Sequence, residues 1–349
     1  MPNLPSYTFR PSTLADLPAV VAVLNAHTLA TIGTTRTAGH WQHRHWYESG
    51  LKLSQDTRVA VNPAGEIVGY AELVPEAPYL IHLLTWAIHP DLPPAEAGQI
   101  AATLLDWADQ RAQELLSLAP AAARVVIHNN LFEQQETAIA LLKSHDFQLA
   151  RSFVHLHMTM TEPPAEPVRP EGIEVRPLQP PGDWAKVGPA LDEAFQDHWG
   201  TLQYPESEEE EDETELPDGH PDKIEKPVFD RDYRNSPGLC FIAWAGDEVA
   251  GSCLCNAKSL EWPNAGYLGS LSIRRPWRRQ RLGLALTLQA LGEFYRRGTR
   301  HIHTDTDSDG FTSAHALYQK AGMTIYRQEN LYEKEIRPGR DYLKRTPGS

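Results

Sequence analysis

Short apolar runs of strand length alternate along this chain with stretches in which apolar residues return every three or four positions, the spacing of one helix face. Phe9-Arg10-Pro11 opens a strand-like run and is followed by a helical pattern at Leu17, Val20, Val21, Val23 and Leu24. Val175-Arg176-Pro177 opens another, followed by Trp184, Val187, Leu191 and Phe195. Gly65-Glu66-Ile67-Val68-Gly69 turns one apolar strand into the next, as Gly246-Asp247-Glu248-Val249-Ala250-Gly251 does later. Ala140 to Phe147 is matched by Ala316 to Met323. The order of elements is therefore written twice, although most of the letters differ.

Each copy reads strand, helices, strand pair, strand, long helix, strand, helix, strand pair. In the second copy the pattern predicts strands at Ile173–Leu178, Cys240–Ala245, Glu248–Ala257, Tyr267–Ile273, His301–Asp307 and Thr324–Ile336. A long helix is predicted from Leu282 to Arg297, closed by Gly298, and a shorter one from about Thr312 to Lys320, closed by Gly322. Hairpins beside a strand-helix-strand crossover imply an α/β (α+β) fold with a mixed sheet and helices on both faces. Residues 162–170 hold four prolines and read as a semi-rigid linker. The expected division is a first domain over 1–162, a linker over 163–172, a second domain over 173–337 and a tail over 338–349.

Composition changes this picture in two places. The 349 residues suit two domains at roughly 150 residues each, and 41% hydrophobic residues suffice for two cores. The net charge is −14, and eight of the ten residues from Glu206 to Glu215 are acidic. That block lies in an insertion over 205–226 of the second copy, lacks apolar periodicity, and reads as a solvated spacer that could also attract a cation. A nucleic-acid partner is excluded as a general one, because the mean field repels phosphate. Three cysteines cannot build a disulfide framework, and the first thirty residues lack the order of a signal peptide, so the cytoplasm is the expected compartment. No apolar run is expected to reach the roughly 18 to 20 residues that span a bilayer, and no membrane role is expected.

The stretch from Tyr267 to Ala285 is an apolar strand, a basic turn and a helix start that contains glycine. Unpaired N–H groups and the positive end of the macrodipole make such a helix start an anion site. Gly283 allows close approach of a diphosphate, and Arg274, Arg275, Arg278, Arg279 and Arg281 add five cations within eight residues of an acidic chain. A phosphorylated ligand is the expected partner.

The spacing Gln280-x-x-Gly283-x-Ala285 after a strand resembles the pyrophosphate loop of the GNAT acetyltransferases. Leu271-Ser272-Ile273 resembles that family's splayed fourth strand, whose backbone pairs with the pantetheine arm of acetyl-CoA. Ala314 to Met323 resembles its late Ala-x-x-Leu-Tyr-x-x-x-Gly-Phe segment. The resemblance implies two tandem GNAT folds and makes acetyl-CoA the donor. It assigns coenzyme binding to Leu271, Ser272, Ile273, Arg278, Arg279, Gln280, Arg281, Leu282, Gly283, Leu284 and Ala285. Tyr318 becomes the phenol that protonates the departing thiolate, a role suited to its ordinary pKa near 10. Gly310-Phe311 departs from the Asn-Pro that many members carry, which loosens side-chain contacts expected there.

The first copy keeps the layout without the chemistry. Its corresponding stretch, His89 to Ala101, has Asp91 and Glu96 but no arginine, and Leu142 stands where Tyr318 stands in the second. A degenerate domain followed by an active one resembles the plan of bacterial tandem GNAT proteins of the mycothiol synthase type.

Other constellations leave alternatives open. Glu193, Asp197 and His198 end the second copy's first helix, where the family lines its acceptor site, and could take the amine proton or serve as caps and core contacts. His301, His303, Asp305 and Asp307 share one strand face, which suits a metal in principle, but acetyl transfer needs none. Cys253 and Cys255 read as packed thiols, and His43 and His45 as part of an aromatic helix face. The reading is thus an enzyme that moves an acetyl group from acetyl-CoA to a primary amine by direct attack. The acceptor would be a cation such as a polyamine, an aminoglycoside or a peptide amine, or by resemblance a mycothiol precursor. A non-catalytic acyl-CoA sensor and a transferase of another acyl-CoA are the alternatives, and the expected state is a monomer or homodimer.

Overall fold

The structure is a computed structural model that describes residues 7–35, 39–48, 50–203, 236–259, 262, 264–308, 310 and 314–345. The acidic insertion, Phe311 and the predicted helix start at Thr312 lie outside these residues.

In chain order the first elements are β1 (Thr8–Arg10), α1 (Leu17–Ile32), α2 (Gly39–Glu48), α3 (Leu53–Asp56), β2 (Thr57–Val61), β3 (Ile67–Glu76), β4 (Ile81–Ile88), α4 (Pro94–Leu115), β5 (Val125–Phe132), α5 (Glu136–Ser144) and β6 (Gln148–Thr159). The second series is β7 (Ile173–Pro177), α6 (Trp184–Phe195), β8 (Phe241–Ala245), β9 (Glu248–Asn256), β10 (Ala265–Ile273), α7 (Leu282–Arg296), β11 (His301–Asp307), α8 (Ala314–Lys320) and β12 (Thr324–Arg337). Elements of the second copy fall within a few residues of their predicted bounds.

The chain forms two compact units, and neither is continuous in sequence: Met1–Arg151 with Glu329–Tyr342, and Ser152–Gln328 with Leu343–Ser349. The boundaries therefore differ from the division at 162 and 337. Residues Glu329–Arg337 of β12 pair with β5 in the first unit, whereas Phe153–Thr159 of β6 pair with β11 in the second. Both strands end a copy of the same repeat, so their alternation predicts a strand but cannot choose which sheet it completes.

In the first unit the sheet order is β1-β2-β3-β4-β5-β12, antiparallel except for the β4–β5 pair. One face carries α4, whose Ile100, Leu104, Leu105, Ala108 and Ala112 repeat at helical spacing and pack with Leu73, Leu84, Ile127 and Leu142. The other face is closed by α1, through Val20, Val23 and Leu24, together with Trp46 of α2. The helical stretch Leu14–Ile32 amends one expectation, for by length and composition alone it could cross a membrane.

In the second unit the order is β6-β11-β10-β9-β8-β7, with β10–β11 the parallel pair. Leu282, Leu286, Ala290 and Phe294 of α7 and Tyr318 of α8 share a core with Cys253, Cys255, Leu268 and Ile302. Val187 and Ala190 of α6 pack on the opposite face with Ile242, Trp244 and Leu254. The repeat also survives in a paired detail. Arg10 forks onto Asp16 at 2.7 Å through both terminal nitrogens, and Arg176 onto Asp183 at 2.7 and 2.8 Å.

Candidate active site

The basic turn links β10 to α7. Arg279 and Arg281 adopt φ of +64° and +63°, the left-handed region that side-chain-bearing residues rarely enter. Arg281 is the N-cap of α7, and the first helical bond runs from the Ala285 N–H to its carbonyl. The N–H groups of Leu282, Gly283 and Leu284 thus precede the intrahelical ladder. A left-handed residue followed by a helix start turns successive N–H groups to one side, which makes a concave nest for an anion. Arg279 and Arg281 are exposed and form no ion pair with the described residues. Gly283 has a packing role as well: a Cβ there would lie 2.8 Å from Leu317 Cδ1 of α8.

The remaining arginines of the turn, counted in the sequence among five cations suited to a phosphorylated ligand, are engaged within the protein. Arg274 Nε donates to Glu193 at 2.6 Å, and its Nη1 to the Val249 carbonyl at 3.0 Å. Arg275 grips Asp197 through two nitrogens, the Nε at 2.8 Å. Arg278 reaches Asp197 at 2.9 Å and also donates to the Ile273 and Ala194 carbonyls at 2.9 and 3.0 Å. Lys344 adds a fourth cationic contact to Asp197 at 3.5 Å. The Arg275 and Arg278 guanidiniums hold the Asp197 carboxyl far below the usual carboxylate range, which makes it a poor proton acceptor. Glu193 and Asp197, two of three sequence candidates for the base, are therefore struts of the turn. His198 packs edge-on against Phe195, and burial followed by the Arg278 charge lowers its pKa. It is neutral at pH 7 and able to accept a proton.

Ahead of the turn, β10 is irregular in a way the sequence reading missed. Leu268 pairs with Cys255 and Ser270 with Leu254, so Gly269 is left without an opposite residue, a β-bulge. On its other side β10 pairs with β11 only over Ala265–Tyr267. An isolated glycine inside a strand was the available signal. Beside the bulge, Tyr318 is 5% exposed and hydrogen-bonds Thr304. Thr304 Oγ1 gives its own proton to the Leu268 carbonyl at 2.8 Å, which leaves it an acceptor for the tyrosine. Burial above all, then the nearby Cys253, raises the Tyr318 pKa, so the phenol keeps its proton at neutral pH.

The Acetyltransferase (GNAT) family profile matches residues 191–323, from the end of α6 through α8. The chain is 26% identical over 282 residues to a mycothiol acetyltransferase of Streptomyces bingchenggensis, covering 78% of this chain and 79% of that protein. It is also 26% identical over 275 residues to the mycothiol acetyltransferase of Streptomyces scabiei, with 77% of each covered. A GCN5-related N-acetyltransferase from Sphaerobacter thermophilus superposes with a TM-score of 0.75 at 28% identity, over 96% of this chain and 97% of that one. The fold is shared with a tandem GNAT protein from the clavulanic acid biosynthesis pathway, at a TM-score of 0.67 and 16% identity over 95% and 99%.

Residues 191–323 are thus a GNAT acetyltransferase domain, and the chain as a whole has the tandem GNAT fold.

The two units can be compared position by position. The ladder between β3 and β4 runs from Gly69–Ile88 to Glu76–Ile81 without a shift, so the strand ahead of the first unit's long helix lacks the bulge seen in β10. Pro94 opens α4 and has no N–H to offer, while Glu96 in the first turn accepts the Tyr7 hydroxyl. The parallel ladders match Ile81 and Val126 with Ala265 and His301. Three residues on, Asn129 Nδ2 donates to the Leu84 carbonyl at 2.7 Å where Thr304 donates to Leu268, yet Leu142 replaces Tyr318. The carbonyl clamp is common to both units, and the buried tyrosine belongs to one.

The other sequence candidates are spread more widely. His301 Nδ1 lies 3.0 Å from Thr159 Oγ1, Asp305 accepts the Tyr267 hydroxyl, and His303 stacks on Trp262. Among the described residues no group of three or more His, Cys, Asp or Glu is arranged to hold a metal ion. Cys253 and Cys255 are buried with their sulfurs 3.6 Å apart. In the first unit His43 packs on Tyr47 and His45 lies 3.1 Å from Glu72.

Proposed function

We propose that the second unit moves an acetyl group from acetyl-CoA to a primary amine by direct attack. The observation that carries this reading is the convergence of three features: the N–H nest heading α7, the bulge at Gly269, and the protonated Tyr318 beside it. The nest and the exposed Arg279 and Arg281 suit the coenzyme diphosphate. The parting of β10 from β11 leaves backbone groups of Leu271, Ser272 and Ile273 for the pantetheine arm, and N–H groups at the bulge to polarise the thioester carbonyl. The amine nitrogen bonds to the acetyl carbon, the carbon–sulfur bond breaks, and Tyr318 gives its proton to the thiolate. His198 takes the proton released from the amine, while Arg278 and Asp197 hold the turn in shape.

The two Streptomyces relatives named for mycothiol make an acceptor of that chemistry the first to assay. Release of free CoA thiol in the presence of an amine tests the reading. Tyr318→Phe is expected to lower kcat by about a hundredfold while the acetyl-CoA Kd stays within about twofold. Equal kcat would remove Tyr318 from the reaction, and binding without thiol release in the parent protein would favour a non-catalytic sensor.

A further inference from the structure

Strand β11 presents its two faces to different chemistry. Thr304 points to Tyr318 and the α7 core, so by alternation His303 and Asp305 lie on the opposite face. The ladder to β6 sets His157 opposite His303 and His155 opposite Asp305. Trp262 stacks on His303 with centroids 5.4 Å apart and planes at 11°. Tyr326 meets His303 edge-on at 5.7 Å and His157 at 4.9 Å. On β10, Tyr267 precedes the bulge and gives its hydroxyl proton to Asp305. A patch of aromatic and imidazole rings with one exposed carboxylate thus lies behind the strand gap, on the side away from the acid.

From this placement we propose that the acceptor docks against Trp262, His303, His157 and Tyr326 with its ammonium on Asp305, and that it is a compact primary amine on a carrier without negative charge. The inference rests on the second unit being the transferase, and it supplies what that reading lacks, the place and charge of the acceptor. The thiolate leaves toward Tyr318, which protonates it, and the amine, freed for attack once His198 has taken the ammonium proton, meets the thioester from the other face without displacing the acid. A carboxylate accepts an ammonium through a charge-assisted hydrogen bond, and electron-rich ring faces favour the same cation. Asp307, two positions along on the same face, extends the negative field toward His198 and partly opposes the lowering of its pKa by burial and the Arg278 charge. A phosphate or carboxylate on the carrier would be repelled.

The test uses two matched pairs of amines, ethanolamine with phosphoethanolamine and glucosamine with glucosamine 6-phosphate, on the full chain with acetyl-CoA. Each uncharged-carrier amine is expected to show a kcat/KM at least about tenfold above its phosphorylated partner. Asp305→Asn should raise the amine KM about tenfold, and Trp262→Ala severalfold, with the acetyl-CoA Kd within about twofold in both. Preference for the phosphorylated partners, an unmoved amine KM in both variants, or no acetylation of any of the four by protein that binds acetyl-CoA would overturn the proposal. Failure of the parent protein to bind acetyl-CoA would bring down the donor-site reading instead.

Discussion

One hydroxyl, that of Thr304, ties the proposed acid to the irregular strand. It donates to the carbonyl just before the bulge and accepts from Tyr318, so a change there reaches both. Thr304→Val should reduce kcat by about tenfold without weakening acetyl-CoA binding, and Thr304→Ser should restore most of it. Equal loss in both variants would mean that packing rather than the hydroxyl matters. A different residue controls acid stability. His82 of β4 is 0% exposed, neither ring nitrogen has a partner among the described residues, and burial followed by the Arg111 charge lowers its pKa to about 4. The unfolded chain binds this proton near pH 6.5, so stability is full above that value and is lost as pH falls through about 4. The loss amounts to about 3 kcal/mol at most. His82→Leu should flatten the fall in Tm between pH 6.5 and pH 4, and an unchanged slope would assign that fall to other groups. At this scale the sequence offered candidates that sit in local motifs, Gln280, Gly283 and Ala285 in one and Tyr318 in another. The Asp197–Arg278 pair and the Thr304 clamp join residues distant along the chain, and no local pattern encodes them.

Among elements, the turn between β10 and α7 shows how a basic segment is kept in a strained shape. Two left-handed arginines would cost energy unless their surroundings fixed them, and Asp197 at the end of α6 supplies that hold through Arg275 and Arg278. Asp197→Asn keeps the size and removes the charge. It should raise the acetyl-CoA Kd by about tenfold while Tyr318-dependent chemistry at saturation changes little. A kcat that falls with Kd unchanged would contradict a strut and point to proton transfer. Element positions were legible because period two and period 3.6 are strong local signals, and the second copy's strands and helices lie where the pattern put them. The bulge was not legible, because it is a property of the pairing between β9 and β10 and of their register.

For the whole molecule, the repeat was visible but its assembly was not. Each unit is completed by a strand from the end of the other copy, and a repeated pattern carries no label to say which slot its last strand fills. The two units differ in the features that the proposed chemistry needs: one opens its long helix with Pro94, keeps an unbroken β3–β4 ladder and buries Leu142, while the other has the nest, the bulge and Tyr318. The central claim is that only the second unit holds the donor. Calorimetric titration of the full chain with acetyl-CoA, beside Gly283→Glu, tests it most directly. One site per chain, abolished by a carboxylate placed at the nest and pressed against Leu317, is the predicted result. Two sites, or one site that survives the substitution, would contradict it.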